Sequence, residues 1–249
     1  MNPLDHLNHR PWELPRGPWI MKQVWYQLLF AHWPVRADAL RPLIPSALEI
    51  DTYDGRAWLG VVPFRMSGVR PRGVTALPWL SAFPELNVRS YVTAGGKAGV
   101  YFFSLDAANP LAVRIARGFY HLPYFDADMQ CIGDEHGIAY RSYRTHRGAP
   151  GANFLGRYRP VGEVYHAARG DLDHWLTERY CLYTSNRRGE LLRGEIHHAP
   201  WDLQPAAAEI EVNTMAVGID LPDAPPLLHY AHRLDVLVWA LRRAATHVT

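Results

Sequence analysis

Lysine and cysteine are nearly missing from this chain. Of 26 Lys+Arg only Lys22 and Lys97 are lysines, so few amines are available for a Schiff base. The two cysteines, Cys131 and Cys181, lie far apart with no CxxC, which argues against a disulfide framework or a zinc ribbon and for two reduced core thiols. No run approaches 18 apolar residues, so no helical membrane span is expected. The first 18 residues are polar and Pro-rich, without the apolar stretch of a signal peptide, and the expectation is a cytoplasmic protein. Charge of either sign is not in excess. A net +2 gives no electrostatic case for nucleic acid or an acidic membrane surface. A Rossmann glycine pattern and internal repeats are also absent, and no cofactor is expected.

What is present fits one globular domain: 48% hydrophobic and 20% charged residues in 249. Residues 1–18 read as an irregular lead-in anchored by Trp12 and Trp19, and 19–249 as a single domain, because the Pro and Gly clusters do not split the chain. Met21–Trp33 is aromatic and β-rich and predicts a long first strand. Ala37–Leu43 predicts a short helix ended by Pro45. Asp54-Gly55 predicts a hairpin turn between LEI and a return strand over Ala57–Met66. Residues 67–82 read as a long loop, with Trp79 either a site wall or a plug.

Leu86–Val92 alternates as a strand, and Val100–Leu105 follows the turn Ala94-Gly95-Gly96-Lys97, where Lys97 is expected to be solvated. Asn109–Phe119 reads as a helix with Leu111, Ile115 and Phe119 as its apolar stripe. Hairpins are expected over Met129–Tyr143 and about Asn186–Gly189, a loop over 145–157, and a helix over Asp171–Cys181 capped by Asp171. Glu209–Gly218 continues the sheet, and Leu228–Trp239 reads as a strand rather than a helix. The fold class is therefore mainly β (α+β): a mostly antiparallel closed β-barrel with a few short helices packed outside, closure being the simplest way to hide so many edges.

Period 2 puts Glu85, Asn87 and Arg89 on one face of one strand. Facing into the barrel, Glu85 is a candidate general acid or base and Arg89 a carboxylate clamp. Otherwise the two pair with each other or with solvent. His197 and His198 on a strand face opposite ways, so at most one enters the interior. His198 is the better candidate for ligand binding or proton transfer, against a structural role. Arg179, at the end of a predicted helix, is structural or an anion contact. Trp58 or Trp201 are candidates to line an apolar cavity. His229 and His232 suit a metal only on a helix and lack a third ligand, so no metal is expected. The aromatic content is compatible with a homodimer, although no residue specifies one.

The strings FPELNVRSYV (83–92), GVYFFSLDA (99–107), ARGFYHLPYF (116–125), WLTERYCLY (175–183) and HHAPWDL (197–203) resemble the YqjF-like family of uncharacterised bacterial proteins. The resemblance implies an acetoacetate-decarboxylase-like fold with an interior cavity, and it places Glu85 near a carboxylate of that cavity. It also implies a pattern like R-x-x-Y-x-x-P-K-K, whose lysine forms a Schiff base with a keto acid. Arg117, Tyr120 and Pro123 match, but Tyr124 and Phe125 follow. The amine is missing, and a phenol cannot form an imine. Tyr124 is then a hydrogen-bond donor to a ligand carbonyl, or a filler. Arg117 and Tyr120 read as buttresses of the segment, with Tyr120 also a ligand contact. Two functions stand: an enzyme without imine chemistry acting on a small carbonyl or carboxylate compound through Glu85, Arg89 and Tyr124, or a non-catalytic small-molecule binder or sensor.

Overall fold

The computed structural model describes residues 3–75 and 81–245. Trp79 lies outside the described residues. The chain runs β1 (Met21–Val35), α1 (Ala37–Leu40), β2 (Glu49–Ile50), β3 (Ala57–Pro71), β4 (Phe83–Ala94), β5 (Lys97–Ala107), α2 (Pro110–Phe119), β6 (Tyr124–Asp134), β7 (Gly137–Arg144), β8 (Asn153–Pro160), α3 (Leu172–Thr177), β9 (Cys181–Ser185), β10 (Leu191–His197), β11 (Leu203–Asn213), β12 (Leu227–Val238) and β13 (Arg242–Arg243). The mostly-β reading with few short helices holds. Leu227–Val238 is a strand, as read from the sequence.

Strand pairing forms a circuit. From β5 it passes through β6, β7, β8, β11, β12, β1, β3 and β4, and β4 pairs again with β5. A shorter path joins β5 to β12 through β9 and β10. Pairings are antiparallel except β5 with β6 and β5 with β9. The β4–β5 turn is two residues long, with Gly95 at φ 57 and Gly96 at φ 72. Both angles lie in the left-handed region that favours glycine in such hairpins.

The β1–β3–β4 layer is buried on both faces. Leu29, Val61 and Val88 pack with Tyr140, Phe154 and Tyr158 on one side. Leu28, Phe30, Val62 and Phe64 pack with Tyr124 and Trp201 on the other. Alternation in β4 therefore does not separate water from core. It separates an apolar core from a second, partly polar interior face.

Several boundaries differ from the sequence reading. β3 continues to Pro71, so much of the loop assigned to 67–82 is strand held on β1. β8 begins at Asn153, inside the loop expected over 145–157. The Asp54-Gly55 turn is present, but β2 pairs with β4 and only Tyr53 bridges Arg56. α3 ends at Thr177 and Cys181 opens β9; Asp171 stands at the N-cap without a side-chain cap bond. The strand expected over 209–218 spans Leu203–Asn213. α2 is capped as its sequence suggests: the Asn109 side chain accepts from the amides of Leu111 and Ala112, and Pro110 follows. Its buried side, however, is Val113 with the small Ala112 and Ala116, whereas Leu111, Ile115 and Phe119 are largely exposed, Phe119 at 75%.

The lead-in is tied down by polar contacts. Arg10 and Trp12 both donate to Glu195, and Arg72 stacks over Trp19. Lys97, expected in solvent, pairs with the same Glu195 at 3.2 Å and lies over the Trp12 ring.

Candidate functional site

Between β1, β3, β4, β5, β9 and β10 lies a pocket of about 300 Å³, lined mostly by apolar side chains. All eight candidates, Glu85, Asn87, Arg89, Tyr120, Tyr124, Arg179, His198 and Trp201, line it. Trp58 does not, and packs instead with Tyr91 and Leu176. His197 turns the other way, toward Arg10 and the Pro3 carbonyl, as strand alternation requires. His229 sits on β12 and pairs with Asp173 at 3.0 Å. Among the described residues no three His, Cys, Asp or Glu side chains are grouped to hold a metal.

The backbone positions these groups in two ways. Simple alternation along β4 delivers Glu85, Asn87 and Arg89 to the pocket. Elsewhere a bulge changes the phase. On β1 the pocket receives Met21, Gln23 and Trp25, then Leu28 and Phe30. The switch occurs at Gln27, which has φ 53, where β1 gains one residue relative to β3. Phe103 is the extra residue of β5 opposite Val88/Arg89, so the pocket receives Val100 and Phe102, then Leu105.

Glu85 and Arg89 do not pair with each other. The Tyr124 hydroxyl donates to Glu85 Oε2 at 2.9 Å, and Tyr140 reaches from the opposite face to the Glu85 carbonyl at 2.7 Å. Glu85 is 3% exposed, and burial pushes its carboxyl up to about 8 despite the opposing Tyr124 hydrogen bond. It is therefore mostly protonated at neutral pH. Tyr124 is carried by a segment with His121 at φ 51, and Arg117 Nη1 holds its carbonyl at 2.6 Å. The buttress role read for Arg117 has this bond as its basis.

Arg89 is buried with its guanidinium over Phe30 and Tyr91. It reaches the Leu176 carbonyl at 3.4 Å, its Nε has no hydrogen-bond partner, and it forms no ion pair among the described residues. Arg179 is different. It donates to Asp51 at 2.6 Å and to the Trp175 carbonyl at 2.6 Å, stacks over Tyr91 and Trp175, and keeps Nη2 without a partner. Asn87 Oδ1 and His198 Nε2 are likewise buried without partners. His198 bonds the Ala199 carbonyl through Nδ1, and burial lowers its pKa, so it is neutral. Trp201 is fixed by its indole N–H on the Thr177 carbonyl at 2.9 Å.

Two residues escaped the sequence reading. Asp51, which orders Arg179, lies far from it in sequence and carries no local signal. His32, wholly buried behind the pocket, meets the Tyr91 hydroxyl at 2.7 Å; its place amid FAHW was the available clue. The cysteines offer no nucleophile. Burial pushes the Cys181 thiol up to about 12 and the Cys131 thiol up to about 11. Cys131 is only half-buried, rather than a full core residue. Neither lysine lines the pocket: Lys22 pairs with Asp235 at 2.9 Å, as Lys97 does with Glu195.

Residues 22–235 match the DUF2071 family, described as "Uncharacterized conserved protein". The chain belongs to that family. It is 52% identical over 232 residues to "Uncharacterized protein YqjF" of Bacillus subtilis (strain 168), covering 92% of this chain and 95% of the relative. Among solved structures it is similar to acetoacetate decarboxylase from Legionella pneumophila, with TM-score 0.63 and 12% identity over 97% of this chain and 94% of that one. It is also similar to the enduracididine biosynthesis enzyme MppR complexed with pyruvate, with TM-score 0.62 and 9% identity over 93% of each chain. A third is an acetoacetate decarboxylase-like enzyme from Sphingomonas wittichii RW1, with TM-score 0.60 and 12% identity over 92% of this chain and 95% of that one. These likenesses give this DUF2071 chain the acetoacetate-decarboxylase-like fold. No helix of its described residues is long and apolar enough to cross a membrane.

Proposed function

We propose that this chain is an enzyme acting on a small carbonyl or carboxylate compound without forming an imine. The carrying observation is Arg89: a buried guanidinium facing an apolar pocket, with no carboxylate partner among the described residues. An uncompensated buried cation is unfavourable, and a ligand carboxylate would relieve it through charge-assisted hydrogen bonds. Asn87, Arg179 and His198 offer further buried polar atoms, and the side chains of Phe64, Phe102 and Trp201 hold an apolar body. Glu85, protonated near neutral pH, is the general acid. Tyr124 orients it by donating to its Oε2. The circuit of strand pairings supports reading the sheet as a closed barrel with this pocket as its interior. Pyruvate in a fold relative supports the ligand class.

A non-catalytic binder is the second reading. It is favoured by the Tyr124 hydroxyl, which is already committed to Glu85 instead of a ligand carbonyl. NMR of the protein with 2-oxo and 3-oxo acids separates the two. Turnover lost in Glu85→Gln with binding retained supports the enzyme. Binding without turnover supports the binder, and wild-type turnover in Glu85→Gln removes Glu85 from the chemistry.

A further inference from the structure

Behind the wall that carries Tyr124 lies a second recess of about 860 Å³, with no part in the function proposed above. The two recesses share one segment. Tyr120 and Tyr124 line the first, while His121, Pro123 and Phe125 line the second. Arg114, Arg117, Arg144 and Arg187 line the second recess with His121, and among the described residues no Asp or Glu does. Arg144 is neutralised by Asp106 at 2.8 Å, an acid buried outside the lining. Arg114, Arg117 and Arg187 form no ion pair among the described residues, and Arg117 has one carbonyl bond, to Tyr124. Surface arginines are ordinarily solvated one at a time; here three uncompensated ones share a concave surface.

A second observation points to a ligand. Ser104 lines this recess, is 4% exposed, and its Oγ has no hydrogen-bond partner. A buried hydroxyl left without a partner is unfavourable, because it has lost its water without gaining a hydrogen bond. The same recess is lined by the apolar side chains of Tyr101, Phe103 and Met215.

We infer that this recess binds a phosphate ester. Its oxygens sit on Arg114, Arg117 and Arg187, and its apolar or aromatic body lies against Tyr101 and Phe103. Guanidinium forks match phosphate oxygens bidentately, and a polyanion balances three cations where a single carboxylate balances one.

Calorimetric titration of the full chain with pyrophosphate and with ADP tests this. Saturable binding at one site is expected, tighter for ADP and weakening as salt rises. The double variant Arg114→Ala/Arg187→Ala changes exposed side chains, and its thermal melt checks the fold. It should bind about tenfold more weakly or worse, the loss expected on removing charge-assisted hydrogen bonds. Arg89→Met, in the other pocket, should bind normally. No saturable binding of either probe at millimolar concentration, or undiminished binding by the double variant, overturns the inference. Loss of binding in Arg89→Met overturns it as well, by assigning the anion to the first pocket. Equal affinity for pyrophosphate and ADP removes the apolar-body half of the proposal.

Discussion

The Tyr124 hydroxyl donates to Glu85 Oε2 across 2.9 Å, at the position where the resemblance drawn from the sequence implies a lysine. A phenol there keeps a neutral partner beside a buried carboxyl, and the carboxyl keeps its proton.

Stability should consequently fall as pH rises. The Glu85 carboxyl releases its proton near 4.5 in the unfolded chain and near about 8 in the folded one. Below 4.5 both states are protonated and the group contributes no penalty. Between these values the folded state binds more protons, so rising pH favours unfolding. Once both states are ionised the loss reaches about 5 kcal/mol. Urea denaturation at about pH 5 and about pH 9 should show this decline in the wild type. Glu85→Gln should lack most of it and be the more stable protein at the alkaline end. Parallel pH profiles for the two proteins would remove Glu85 as the source.

Borohydride reduction in the presence of pyruvate or acetoacetate should leave no lysine adduct by mass spectrometry. Only Lys22 and Lys97 are available, each in an ion pair and neither in the pocket. Neither ammonium is placed to meet a ligand held by Arg89. A trapped adduct on either residue defeats the imine-free reading.

The two pocket arginines should respond in opposite ways to neutral substitution. Arg89→Met removes a buried cation without an ion-pair partner, so stability should be unchanged or raised by up to about 2 kcal/mol, while affinity for carboxylates falls. Arg179→Met strands Asp51, which is partly exposed, and should lower stability by about 2–3 kcal/mol after allowance for that exposure. Urea midpoints read both. Equal destabilisation by the two changes argues that Arg89 is as well compensated as Arg179.

Asp106 and Arg144 form the most enclosed ion pair near the two pockets, with side chains 0% and 3% exposed and three hydrogen bonds between them. Asp106→Ala leaves a buried guanidinium alone and should reduce stability by about 3–5 kcal/mol. The double change Asp106→Leu/Arg144→Met should recover much of that loss in thermal denaturation. A double variant no better than the single one assigns the effect to packing rather than charge.

The sequence made β4 legible because its polar residues stand in strict alternation among apolar ones. Glu85, Asn87 and Arg89 could be grouped without knowing what lay opposite, and His197 and His198 were separated by the same rule. The first bulge defeated that rule on β1, where hydropathy alone does not reveal that Trp25 and Phe30 share a face. The α2 stripe misled for a different reason. Small residues let the helix approach the sheet closely, so Ala112, Val113 and Ala116 face inward while the larger Leu111 and Phe119 stay outside. Asp51 was invisible because its partner, Arg179, is 128 residues away. Local propensity carries no information about such a pairing.

Gln27 gives β1 a reading frame. Its backbone is left-handed, its carbonyl accepts from Tyr158 at 2.7 Å, and the residues before and after it count toward the pocket in different phases. Straightening this one residue into a regular strand would leave composition and hydropathy unchanged. It would nevertheless shift the alternation by one, bringing Gln27, Leu29 and Ala31 to the pocket side in place of Leu28 and Phe30 and sending His32 toward the other core. Between Trp25 and Leu28, the left-handed backbone of the bulge therefore decides which side chains reach the pocket.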